Sequence, residues 1–147
     1  MAKLETEHIF DGKIEQVFAA IRCYSRYPEF IRGVTSIEVL SPKAEGSVAQ
    51  VRYELNIIKK FYYTLDMFEA EPNKIWWSLA DSNLMKSNDG GWKLSSVKGK
   101  PEKTKAVYTL DLKFKGLVPS AITDQVAKSN LPGMFVGFQE LINKTKS

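Results

Sequence analysis

Along residues 3–10 the chain alternates, with Leu4, Thr6, His8 and Phe10 on one face and Lys3, Glu5 and Glu7 on the other. A period of two predicts a strand. Asp11-Gly12 interrupts it, and the period lengthens: Ile14, Val17, Phe18, Ile21 and Tyr24 recur at helical spacing. The pattern predicts a helix capped by Asp11 and ending near Tyr24 or Ser25. In the stretch Arg26-Tyr27-Pro28-Glu29-Phe30-Ile31-Arg32-Gly33-Val34, Pro28 suits the first turn of a short second helix and Gly33 its end.

From residue 34 the period of two returns and persists. Residues 34–41 are rich in Val, Ile and Thr. Residues 48–58 place Ala49, Val51, Tyr53, Leu55 and Ile57 on one face and Gln50, Arg52, Glu54 and Asn56 on the other. Lys59-Lys60 reads as a tight turn. Residues 61–70 turn Phe61, Tyr63, Leu65 and Met67 the same way, and Pro72-Asn73 reads as the next turn. Residues 75–80 send Ile75, Trp77 and Leu79 inward and Trp76 outward. Asn88-Asp89-Gly90-Gly91 carries a strong turn signature. Trp92 and Leu94 then alternate with Lys93 and Ser95. A lysine-rich segment over 97–105 reads as a solvated hairpin loop. Beyond it, Ala106, Tyr108, Leu110, Leu112 and Phe114 share a face opposite Val107, Thr109, Asp111 and Lys113. About six consecutive strands with short connections predict an antiparallel meander.

The chain closes with helical spacing from Ser120: Ile122 and Val126, then Leu131, Met134, Phe135, Phe138, Leu141 and Ile142. Pro132-Gly133 is expected to kink or divide this helix. The fold class is therefore α+β, in one domain over 1–147. A strongly twisted sheet of about seven strands curls, and one helix about 10 Å wide cannot cover its concave face. The space left over is either a cavity or a core of large side chains.

This order resembles the helix-grip fold of the START and birch-pollen-allergen superfamily (SRPBCC). The resemblance is carried by Val17-Phe18 through Tyr27-Pro28-Glu29-Phe30-Ile31-Arg32-Gly33-Val34, by Gly91-Trp92-Lys93-Leu94, by Tyr108-Thr109-Leu110-Asp111-Leu112, and by Leu117-Val118-Pro119 leading into Leu131-Pro132-Gly133-Met134. It covers nearly the whole chain and is strongest to the polyketide cyclase/dehydrase and lipid-transport branch, which includes coenzyme Q-binding proteins. It implies an apolar cavity between a curved antiparallel sheet and the long C-terminal helix, occupied by a hydrophobic small molecule such as a lipid, isoprenoid quinone or polyketide. Carried onto this chain, the implied lining is Phe30 after the second helix, with Tyr53, Leu55, Tyr63 and Leu65 from the middle strands. Trp77, Leu79, Trp92, Leu94, Tyr108 and Leu110 come from the later ones, and Val126, Leu131 and Phe135 from the last helix. Because this fold hosts both carriers and enzymes, the likeness bears on architecture more than on activity.

Composition narrows the chemistry. One cysteine, Cys23, and one histidine, His8, exclude an internal disulfide and any Cys- or His-rich metal cluster. No phosphate-binding glycine motif occurs, and no cofactor is expected. Cys23 reads as a helix-packing residue, and Glu69 and Glu71 as solvated charges at a strand end beside Pro72. His8 reads as a hydrogen-bonded or edge histidine, Asp111 as exposed. No catalytic constellation emerges, so a carrier is expected. A cyclase or dehydratase working through His8 or a tyrosine stays open, as does a module binding a ribosome or protein partner. The net charge of +4 suits contact with RNA, anionic lipid heads or acidic partners without requiring any. Transient contact with a membrane surface is left open; DNA is not expected. A base-stacking sheet is disfavoured because its aromatic face lies under the helix. The N-terminal residues lack the apolar stretch of a signal peptide, which makes the cytoplasm the default location.

Overall fold

The computed structural model describes residues 2–124, 126 and 131–145. Strand β1 (Ala2–Asp11) leads into helix α1 (Ile14–Ile21) and a 3₁₀ helix (Tyr24–Glu29). Six strands follow: β2 (Val34–Leu40), β3 (Ala49–Ile57), β4 (Lys59–Ala70), β5 (Lys74–Ser82), β6 (Met85–Val97) and β7 (Lys100–Phe114). Helices α2 (Ser120–Asp124) and α3 (Leu131–Lys144) close the chain. All neighbouring strands are antiparallel, in the order β1-β7-β6-β5-β4-β3-β2. This is the helix-grip arrangement expected from the sequence.

The local differences have identifiable causes. Helix α1 stops at Ile21, short of Tyr24, because the chain tightens into the 3₁₀ helix there. That helix ends at Glu29, so Pro28 lies near its end rather than in a first turn, and Gly33 instead turns the chain into β2 with φ of 88°. Asp11 does not cap α1. It ends β1, with its carboxylate 3.4 Å from Lys103 Nζ. The cap position is Lys13, whose backbone N–H donates to Gln16 Oε1 at 2.9 Å. The turn expected at Lys59-Lys60 is centred one residue earlier, on Ile58. The lysine-rich loop shrinks to Lys98-Gly99, since residues from Lys100 onward pair in β7. Lys103 and Lys105 meet Asp11 and Glu7 across the β1–β7 ladder. Pro132 lies in the first turn of α3, where its missing N–H costs nothing. The helical pattern expected across 125 and 127–130 lies outside the described residues.

The largest difference is at Asn88-Asp89-Gly90-Gly91, which is not a turn but the interior of β6. A Cβ on Gly90 would lie 2.5 Å from the Thr109 carbonyl oxygen and 2.7 Å from the Trp77 ring. On Gly91 it would lie 2.8 Å from the Ile75 carbonyl oxygen. The glycines allow close approach of three strands rather than reversal of the chain. The β5–β6 ladder holds only from Lys74 to Trp77 against Lys93 to Gly90, and beyond it the strands part.

The core lies between the concave face and the helices. Phe10, Val17, Phe18, Ile21, Ile75, Leu112, Phe138 and Ile142 are essentially inaccessible there. Helix α3 approaches closely because Gly137 has no side chain: a Cβ there would lie 2.2 Å from the Phe30 ring. Antiparallel order gives the sheet two ends. One gathers Gly33, Ile58, the Asn83 turn and the segment after Phe114; the other gathers Gly12, residues 41–48, Asn73 and Gly99.

Candidate functional site

Between the middle strands and α3 lies a cavity of about 90 Å³. Its wall follows from alternation. Tyr53 and Leu55 come from β3, Tyr63, Leu65 and Met67 from β4, and Tyr108 and Leu110 from β7, each pointing to the concave face. Trp77 and Trp92 add indole rings from β5 and β6. Val126, Leu131, Met134 and Phe138 face them from the C-terminal segment, while Tyr27, Ile31 and Val34 close one side.

Tyr53 and Tyr63 stack across the β3–β4 ladder, with ring centroids 4.7 Å apart and planes 17° from parallel. Trp92 and Tyr108 meet across β6–β7 at 4.8 Å. Asn88 is the polar element of the wall. Trp77 Nε1 donates to its Oδ1 at 3.0 Å where β5 and β6 part, and its amide lies 3.6 Å from Met85 Sδ. Tyr27 donates its hydroxyl to the Ile21 carbonyl. The hydroxyls of Tyr53, Tyr63 and Tyr108 have no hydrogen-bond partner among the described residues. Burial pushes the phenols of Tyr27, Tyr53, Tyr63 and Tyr108 above their usual range. They stay protonated at pH 7, so each is able to donate a hydrogen bond and none acts as a base.

Of the expected lining residues, Phe30, Leu79, Leu94 and Phe135 lie outside this wall. Phe30 packs edge-on to Phe138 at 5.0 Å. Leu94 is buried core, Leu79 packs at the core margin, and Phe135 stacks on His8 at 4.4 Å, 9° from parallel. The pattern does not single out Tyr27, Ile31, Val34, Met67, Asn88, Met134 or Phe138 as lining. Tyr27 sits on a 3₁₀ turn with no usable period, and Asn88 is concealed by its turn-like surroundings.

His8 is half-buried at the β1–α3 seam, edge-on to Phe10 and face-on to Phe135, and burial lowers its pKa. It is not part of the cavity wall. Cys23 packs beside the core and donates its thiol to the Ala19 carbonyl at 3.2 Å. Glu69 is not solvated. Its carboxylate is 9% exposed, accepts the Tyr24 hydroxyl at 2.7 Å and lies 3.3 Å from Arg22. It continues the inward series of β4 and ties the 3₁₀ helix to the sheet. Asp111 is only partly exposed; its Oδ1 is buried without a hydrogen-bond partner among the described residues and its Oδ2 lies 3.9 Å from Lys3. It borders a shallow groove of about 660 Å³ on the outer face over Gly90 and Gly91, walled by Trp76 stacked on Phe68. No group of metal-binding side chains occurs among the described residues.

The family model described as polyketide cyclase / dehydrase and lipid transport matches residues 11–138. The chain belongs to this family. No curated protein matches it in sequence. Solved structures share the fold at low identity. A START superfamily protein from Mycobacterium smegmatis matches with a TM-score of 0.78 and 14% identity, covering 98% of this chain and 99% of that one. A protein from Thermus thermophilus gives 0.79 and 15%, covering 99% and 100%. The Zhui aromatase/cyclase from a Streptomyces species gives 0.72 and 13%, covering 98% and 92%. Among the described residues no helix is long and apolar enough to cross a membrane.

Proposed function

We propose that the protein binds and sequesters, or carries through the cytoplasm, a hydrophobic small molecule of the lipid, isoprenoid-quinone or polyketide class, held between the sheet and α3. The observation that carries the reading is the combination of an aromatic and aliphatic wall with three phenol hydroxyls that no described residue engages. Such hydroxyls are suited to orient a carbonyl or ether oxygen while the rest of the ligand leaves water.

Size sets a condition on binding. A volume of 90 Å³ has room for a few waters but not for a ligand of this class. Ligand pockets usually span about 300–1,000 Å³. The bound state must therefore be wider than the one described. Met67 and Met134 stand in the cavity wall, and unbranched thioether chains change rotamer readily. A ligand burying about 300 Å² gains roughly 7 kcal/mol gross, before the costs of association.

Sequestration is favoured over cyclase or dehydratase chemistry because the wall holds no carboxylate, histidine or thiol among the described residues. Its titratable groups are phenols held protonated by burial. Similarity to the Zhui aromatase/cyclase supports the architecture of the site rather than a shared reaction.

Native mass spectrometry on freshly purified protein, followed by organic extraction, is the direct test. A co-purifying apolar compound, whose release changes the emission of Trp77 and Trp92, is the expected result. An apo mass, with no change in emission on titration with fatty acids, naphthoquinones or flat polyketide-like phenols, overturns the proposal.

A further inference from the structure

The two ends of the sheet differ in charge and surface character. At the Gly12–Gly99 end charges of both signs are interleaved and paired: Lys103 with Asp11 and Lys13 with Glu102. Beside the Gly33 turn, the other end is formed by segments 56–61, 81–87 and 113–119. These carry five lysines, at 59, 60, 86, 113 and 115, against one acid, Asp81. Among the described residues none of the five lysines forms an ion pair. Lys115 Nζ donates to the Ser82 carbonyl at 2.8 Å, and its backbone N–H to the Leu84 carbonyl at 2.9 Å, so the third segment is fastened to the second. The second is fastened to the first through Asn83 Oδ1, which accepts the Tyr62 N–H at 2.9 Å.

The two most exposed large aliphatic side chains of the described residues lie at this same end. Leu117 is fully exposed beyond Gly116, and Ile58 is 72% exposed at the apex of the β3–β4 hairpin. Ile58 has φ of 67°, a left-handed conformation that a β-branched residue adopts at a cost and that glycine or asparagine would fill without strain. Local pairing gives no reason for an isoleucine there, nor for a leucine after Gly116.

We propose that this end docks on an anionic lipid bilayer, with Ile58 and Leu117 entering the headgroup region and the lysines meeting the lipid charge. Basic groups at an anionic leaflet gain attraction that decays within a Debye length, and aliphatic tips add burial that headgroups alone do not supply. The pairing of aliphatic tips with lysines decides between partners. A nucleic acid would engage the lysines, but single-stranded bases are gripped by exposed aromatic rings, and these tips are aliphatic. Val34 and Leu55 of the cavity wall belong to the same end, so docking places the interior near the source of an apolar ligand. Membrane docking does not depend on the ligand's identity and is measured without one.

The test is flotation of the full chain with phosphatidylcholine vesicles, with and without phosphatidylglycerol. The expected result is partition onto the anionic vesicles alone, weakened by added salt. Lys59→Glu with Lys60→Glu lowers it by roughly thirtyfold or more. Ile58→Asn with Leu117→Ser lowers it by roughly tenfold, and Leu117→Ser alone by less. Lys98→Glu with Lys100→Glu, at the opposite end, leaves it within about twofold. The proposal is overturned if anionic vesicles do not retain the protein or if both ends contribute equally. It is also overturned if the aliphatic variants bind as the wild type does, or if the chain binds single-stranded RNA but not vesicles.

Discussion

The Tyr24 hydroxyl donates to the Glu69 carboxylate at 2.7 Å, joining the 3₁₀ helix to the far end of β4. The bond is nearly shielded from water, and the phenol is pushed well above its usual pKa by burial and by this carboxylate. Hydrogen bonds to charged groups contribute about 1.5–3 kcal/mol, and the half-exposed Arg22 adds little. Tyr24→Phe is therefore expected to lower stability by about 2 kcal/mol. In a double-mutant cycle with Glu69→Gln, denaturant unfolding should show coupling of about 1 kcal/mol or more. Additive losses would mean that the two groups do not act on each other.

Gly90 is expected to tolerate no side chain. The clash of an added Cβ is with a backbone carbonyl of β7 as well as the Trp77 ring, so rotamer changes do not relieve it. Gly90→Ala should cost about 2–3 kcal/mol, at the upper end of overpacking. It should also change the emission of Trp77, because the indole that bonds Asn88 has to move. Wild-type melting and emission would contradict the close approach of β5, β6 and β7 at this glycine.

These two sites show what is legible in the sequence and what is not. The seven strands, the concave face and residues such as Tyr53, Tyr63 and Tyr108 follow from a period of two, which local backbone geometry enforces. A glycine kept for close approach and one kept for a turn look the same along the chain, so Asn88–Gly91 carries a turn signature without being a turn. Glu69 falls on the inward face by alternation, but the partner that makes its burial tolerable is Tyr24, 45 residues away. Tyr27 reaches the cavity through tertiary packing that no local period encodes, and the helical spacing that turns Met134 inward does not separate core from cavity. The interior is tighter than a single covering helix implies, because Trp77, Trp92, Tyr53 and Tyr63 fill most of it.

His8 should make stability depend on pH. Burial lowers its folded-state pKa below the ordinary value of 6.5, so the unfolded chain binds more protons once the pH falls below that value. Its contribution is fully present above the unfolded pKa and is lost as pH falls through 6.5 toward the folded pKa. Protonation also places a charge against the Phe135 face at the β1–α3 seam. Thermal melts between about pH 5 and 8 should show the wild type losing stability on the acid side. His8→Phe, which keeps a ring for stacking, should be flatter. Parallel curves would remove His8 from the account.

The cavity phenols should divide according to their partners. Tyr27 donates to the Ile21 carbonyl, which binds the 3₁₀ helix back onto α1. Tyr27→Phe removes that bond and leaves a buried carbonyl short of a donor, so a loss of about 1–2 kcal/mol is expected. Tyr63 has no such partner among the described residues, so losing its hydroxyl strands no other group within the fold. Tyr63→Phe should therefore leave stability unchanged or raise it by up to about 1 kcal/mol. The same substitution should weaken binding of a carbonyl-bearing naphthoquinone while sparing a hydrocarbon of similar size. Calorimetric unfolding of both variants, with ligand titration followed through Trp77 and Trp92, measures the two effects separately. Equal destabilisation of the two variants would mean that the Tyr63 hydroxyl is engaged within the fold and not reserved for a ligand.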